Sequence, residues 1–210
     1  MSTWAIVVAA GNGSRFGDRK QYQPLNGARL IDWALRVPVE RCDGVVLVVP
    51  RDSLERQEPS VRAVVAGGVT RSGSVRSGLA AVPDEAEVIV VHDGARPVPV
   101  PEVWERGSAA VQGGADAAIP VVPVTDTLWS DGTGTLDDGS IDRAGVFAVQ
   151  TPQAFRRTAL WTAHAGGGEA SDDATLVRLA GGTVVLVEGD ASNLKVTTPI
   201  DLSVAELLCQ

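Results

Sequence analysis

A chain of 210 residues can fold one α/β domain with a sizeable core and is too short for two full ones. Its formal net charge of −8 excludes the basic footprint of non-specific binding to nucleic acid or an anionic membrane, so cationic groups in a site are local exceptions on an acidic surface. No apolar run reaches about 18 residues, no leader pattern precedes the first strand, and Cys42 and Cys209 lack metal or redox spacing; the expectation is a soluble, cytoplasmic protein with neither membrane nor nucleic-acid partners.

Trp4 to Val8 is a short apolar run that predicts a buried parallel strand. It delivers Ala9-Ala10-Gly11-Asn12-Gly13-Ser14-Arg15 and then Lys20-Gln21-Tyr22. Gly11 and Gly13 remove the Cβ atoms that would hold a ligand away and let successive backbone N–H groups turn toward one anion. Arg15 and Lys20 add full positive charge, so the simplest ligand is a polyphosphate. The spacing Gly11, Gly13, Gly17 is one residue too long for the dinucleotide fingerprint, no acidic residue closes a second strand about 20 residues on, and no Walker loop occurs. The alternative is a glycine-rich turn with incidental basic residues. Of the 18 basic residues only Lys20 and Lys195 are lysines; each is a place where a compact ammonium could meet a phosphate, or a chance survivor of coding bias.

Arg29 to Val37 has helical spacing and Pro38 predicts an end near there; Gly44 to Val49 and Arg62 to Ala66 read as strands. This rhythm predicts an α/β fold, a Rossmann-like, mainly parallel sheet with helices on both faces, formed by a single domain over residues 1–210. Gly67-Gly68-Val69-Thr70-Arg71-Ser72-Gly73-Ser74 then places glycines and hydroxyls at a strand end and helix start, which suits an anion, a polar base edge or a plain cap. Val88 to Val91 is a further strand, running into His92-Asp93-Gly94-Ala95-Arg96-Pro97. A carboxylate there projects into the crevice where open α/β folds bind ligands. Beside a triphosphate it needs a divalent cation between the charges, so Asp93 is the candidate ligand of Mg²⁺. His92 reads as a hydrogen-bonded structural histidine.

Pro101 to Gln112 predicts a helix and Ala115 to Val124 a strand. Residues 125–147 break the rhythm: two strand-like pieces around a polar turn predict a β-hairpin arm, which is marginal alone and so packs on another subunit. Ala170 to Ala174 opens a helix with Ser171 and Asp172 as candidate caps, Thr183 to Val187 is a strand, and Pro199 to Leu208 closes the chain as a helix.

Ala-Ala-Gly-x-Gly-x-Arg followed by Lys-Gln-Tyr resembles the nucleotidyltransferases of the sugar-nucleotide pyrophosphorylase type. Gly-Gly-x-x-Arg-x-x-Ser-Val, His-Asp-x-Ala-Arg-Pro and Thr-Pro-Gln at 151–153 extend the likeness over essentially the whole chain. Together they resemble the alditol-phosphate cytidylyltransferases, in particular those acting on 2-C-methyl-D-erythritol 4-phosphate. The resemblance implies transfer of CMP from CTP to the alditol phosphate with release of pyrophosphate, in the non-mevalonate isoprenoid pathway. It implies nucleotide contacts from Ala9, Ala10, Gly11, Gly13, Gly68, Ser74, Asp93 and Gly94, and alditol-phosphate contacts from Thr127, Thr151 and Ser171. Catalytic charge would come from Arg15, Lys20, Arg143 and Lys195. It also implies a homodimer in which the 125–147 arm carries Arg143 into the partner's site. Val69 and Trp129 depart from the polar and basic residues common at those places. The alternatives are a ribitol 5-phosphate cytidylyltransferase, an enzyme for another base, or an inactive nucleotide-binding subunit.

Overall fold

The computed structural model describes residues 1–11, 16, 19–56, 58–129 and 140–210, with Ser140 as backbone only. In chain order the elements are β1 (Thr3–Val8), β2 (Pro24–Leu25), β3 (Ala28–Arg29), α1 (Leu30–Arg41), β4 (Gly44–Val49), β5 (Ala63–Ala66), α2 (Arg71–Leu79) and β6 (Val88–Asp93). They continue with α3 (Pro101–Gln112), β7 (Ala117–Pro123), β8 (Leu128–Trp129), β9 (Ser140–Ile141), β10 (Phe147–Val149), β11 (Gln153–Arg156) and α4 (Arg157–Ala165). Helix α5 (Asp173–Leu179), β12 (Val184–Glu188) and α6 (Pro199–Leu208) complete the chain.

Every residue of β4 and β6 is buried, as strands covered on both faces require. Side chains alternate across the sheet, so Ala5, Val7, Val45 and Leu47 pack with Ala34 and Leu35 of α1 and Trp104 of α3 on one face. Ile6, Val46, Val48 and Ile89 pack with Val75 of α2, Leu160 of α4 and Val177 of α5 on the other. Each buried Val, Leu or Ile of these clusters contributes about 1.5–3 kcal/mol. A third cluster joins Leu25, Leu30 and Trp33 to Val196, Ala205 and Cys209, and seats α6.

The main sheet has eight strands in the order β10-β7-β11-β6-β1-β4-β5, with β12 on the other side of β7. Pairs β1–β4, β1–β6, β4–β5 and β7–β12 are parallel. Strand β11 is antiparallel to both β6 and β7, and β10 is antiparallel to β7, so these two are one interrupted strand lying between parallel neighbours. The expected mainly parallel sheet is therefore mixed at this place. From β1 the chain passes outward to β4 and β5, then returns across β1 to β6. This reversal opens a crevice outside the carboxyl ends of β1 and β6, where ligands of open α/β sheets bind.

Pro38 does not end its helix. It lies inside α1, which continues to Arg41, because Val37 and Pro38 are both buried and their packing offsets the bond that a proline nitrogen cannot donate. The arm is present as the short antiparallel pair β8–β9, and residues 130–139 between them lie outside the described residues.

Candidate active site

A cleft of about 540 Å³ sits at this reversal point, lined by the first loop, the start of α2, the end of β6 and the segment around Lys195. Asp93 anchors it. One oxygen, Oδ2, accepts from Lys195 Nζ at 2.7 Å, and Oδ1 lies 3.5 Å from Arg71 Nε. Burial works to raise the Asp93 pKa, but the charges of Lys195 and Arg71 outweigh it and hold the carboxyl well below its usual range.

The backbone beneath Asp93 is fixed by a buried relay. Its N–H donates to Thr151 Oγ1 at 3.0 Å, and the Thr151 hydroxyl lies 3.2 Å from His92 Nδ1. His92 Nε2 faces the Arg96 carbonyl at 3.2 Å. A carbonyl can only accept, so Nε2 carries the proton and Nδ1 accepts from Thr151. This is the structural role expected of His92. Thr151 is committed to the same relay and does not line the cleft.

Burial lowers the pKa of His92 from 6.5 to about 4. Below 6.5 the unfolded chain takes up a proton that the folded chain refuses until about 4, so stability falls as pH drops through that window and is fully present above it. The expected loss is about 3 kcal/mol. Thermal midpoints in EDTA between pH 7 and pH 4.5 should therefore fall more steeply for the wild type than for His92→Gln; parallel profiles would contradict this assignment.

Both lysines converge on the cleft. Lys20, at the first position of a short 3₁₀ turn, donates to the Val196 carbonyl at 2.7 Å. The Lys195 segment is bound to the end of β6 by Val196 N–H on the Ala95 carbonyl and by Arg96 Nη1 on the Asn193 carbonyl, at 2.8 and 2.6 Å. Buried Gln21 donates to the Ala9 carbonyl at 3.0 Å and so fixes the loop from below.

Across the cleft, Thr70 caps α2 by accepting from Gly73 N–H at 2.9 Å, and Ser74 Oγ donates to the Thr70 carbonyl at 2.9 Å. The loop and this turn touch: a Cβ on Gly67 would stand 2.2 Å from the Ala10 Cβ. Gly67→Ala should push Ala9 to Gly11 aside and raise KM for the substrate bound in this cleft about tenfold, in line with the 1–3 kcal/mol that overpacking costs. An unchanged KM would show that the loop position is immaterial.

Of the candidate residues, Ala9, Ala10, Gly11, Lys20, Gly68, Ser74, Asp93, Gly94 and Lys195 line this one cleft. Gly13 and Arg15 lie outside the described residues. Exposed Ser171 is not in the lining; the cap of α5 is Asp172, which accepts from Thr175 N–H at 2.7 Å. Thr127 and Arg143 are exposed on the arm, outside the lining, and Arg143 donates to the Thr125 carbonyl. Arg71 and Gln21 are additions to the set. Arg71 was visible as the arginine of Gly-Gly-x-x-Arg; Gln21 acts through backbone carbonyls that no spacing reveals.

Magnesium fits this donor set. Among the described residues no three His, Cys, Asp or Glu side chains gather into a cage. A single carboxylate whose Oδ1 faces only Arg71, at 3.5 Å among the described residues, matches an ion that takes its remaining ligands from phosphate and water.

The family model described as IspD, 2-C-methyl-D-erythritol 4-phosphate cytidylyltransferase, matches residues 3–210. The 2-C-methyl-D-erythritol 4-phosphate cytidylyltransferase of Cereibacter sphaeroides is 43% identical, over 99% of this chain and 97% of that protein. Its namesake from Geobacillus kaustophilus shows the same identity and coverage. The crystal structure of the Thermus thermophilus enzyme superposes with a TM-score of 0.84 at 34% identity, covering 100% of this chain and 99% of the other. With identity sustained from the first strand to the last helix, the chain belongs to the 2-C-methyl-D-erythritol 4-phosphate cytidylyltransferase family.

Proposed function

We propose that this cleft transfers CMP from CTP to 2-C-methyl-D-erythritol 4-phosphate, giving 4-diphosphocytidyl-2-C-methyl-D-erythritol and pyrophosphate on the route to isoprenoid precursors. The observation that carries the reading is the placement of the chain's two lysines in one cleft beside a buried, ionised aspartate, within a family member matched over residues 3–210.

An oxygen of the substrate phosphate attacks the α-phosphorus in line. That P–O bond forms as the bond to the bridging oxygen of the leaving pyrophosphate breaks. The attacking oxygen already carries its charge, so no general base is needed. Catalysis then consists of positioning and charge stabilisation. Lys20 and Arg15 act on the α-phosphate and the departing pyrophosphate, while Lys195 keeps Asp93 ionised and meets the incoming phosphate. Gly68 and Ser74 frame the cytosine edge. Asp93 holds Mg²⁺, which supplies neutralisation of the triphosphate. Thr151 acts as a positioning residue under Asp93.

The second substrate is completed by the arm. Trp129 is 71% exposed, and Phe147 and Val149 are each 40% exposed, an apolar set suited to burial on a second copy. In that homodimer Thr127 and Arg143 of the partner subunit hold the alditol phosphate, with Ser171 near the alditol chain. The two free cysteines suit a reducing, cytoplasmic setting. Phosphorus NMR of CTP with 2-C-methyl-D-erythritol 4-phosphate tests the reaction: an unsymmetrical diphosphate pair and pyrophosphate should appear in equal amounts. Release of orthophosphate or CMP instead would contradict it.

A further inference from the structure

We infer that Asp173 is a positioning residue for this reaction: by holding the Arg71 guanidinium from behind, it keeps one oxygen of Asp93 open to the divalent cation that accompanies CTP. The inference rests on the reading of Asp93 above and deepens it.

Asp173 is 0% exposed. Its Oδ2 accepts from Arg71 Nη1 at 2.7 Å and its Oδ1 from His164 Nε2 at 3.0 Å. A carboxylate so far from water is costly unless both oxygens are met. Starting the helix does not require it, because Asp172 already caps α5. The reason for it lies at its partner.

Arg71 lines the cleft and forms ion pairs, unequally, with two carboxylates, with Asp172 a further and weaker charge near it. It is hydrogen-bonded to Asp173 at 2.7 Å, but stands 3.5 Å from Asp93 Oδ1. Lys195 already occupies Oδ2. Arginine–carboxylate pairs frequently close into a two-pronged grip, and here a second anion, Asp173, competes for the guanidinium. Without Asp173, Arg71 would close on Oδ1, both oxygens of Asp93 would be held by cations, and a metal ion would be excluded from it. With Asp173 in place, Arg71 contributes its field at a distance and leaves Oδ1 open.

The test is the ratio of the CTP dissociation constants in EDTA and in Mg²⁺, measured by calorimetry on the full chain. The wild type should bind CTP more tightly with Mg²⁺. In Asp173→Asn the amide must turn an NH₂ toward either Arg71 or His164, and the ratio should fall about tenfold, an ordinary size for coupling between two sites. Adding Arg71→Ala should restore the ratio, since the competing guanidinium is gone, and Arg71→Ala alone should keep it. A variant Asp173→Asn with a lower melting temperature but the wild-type ratio would overturn the inference and leave Asp173 a structural residue. Loss of the ratio in Arg71→Ala alone would also overturn it, and that variant decides the matter if Asp173→Asn does not fold. A wild-type ratio of one would overturn the magnesium reading of Asp93 itself, and this inference with it.

Discussion

Replacing Lys20 with alanine is expected to lower kcat by roughly 10²–10³, the scale for removing one preorganised stabiliser of developing charge. The side chain emerges from a short turn and reaches the far wall of the cleft, where it donates to the Val196 carbonyl. That turn is held independently by Gln21 beneath the loop and by the Arg56 guanidinium 4.2 Å from the Tyr22 ring centre. The fold should therefore survive loss of the ammonium. If the group acts on charge that appears only as pyrophosphate departs, kcat falls and KM for CTP changes little. A raised KM with unchanged kcat would assign Lys20 to ground-state binding.

Subunit mixing should reverse most of such a loss, from almost no activity to about half. Arg143 stands on the arm and outside the lining of the cleft in its own chain, and the proposed dimer carries it into the neighbouring site. A chain with Lys20→Ala and a chain with Arg143→Ala should each be nearly inactive as homodimers. In the mixed dimer one site takes both lesions and the other takes neither, so each heterodimer should recover about half of wild-type activity, sites that share no residues being independent. Verified heterodimers without recovery would show that Arg143 serves its own chain.

Much of this architecture was legible because its determinants are local. The runs at Gly44–Val49, Pro101–Gln112 and Pro199–Leu208 form elements with those bounds, and Asp93 stands at the carboxyl end of a buried strand as its position after Val88–Val91 implies. What was not legible depends on distant partners. Helix α4 buries only Leu160 and His164, too thin a stripe to read as a period. The short β11 is defined by pairing with β6 and β7 on its two sides, not by its own composition. Arg71 and Asp173 are 102 positions apart, and nothing in either neighbourhood announces their ion pair.

The proposed reaction is tested by the initial rate of pyrophosphate release by the purified chain with CTP and Mg²⁺, using 2-C-methyl-D-erythritol 4-phosphate or D-ribitol 5-phosphate as acceptor. Turnover should be clear with the methylerythritol phosphate, with kcat/KM about tenfold or more above that for ribitol phosphate, the discrimination that small differences in a sugar backbone support. No pyrophosphate above background with the methylerythritol phosphate, or a preference for ribitol phosphate, would contradict it.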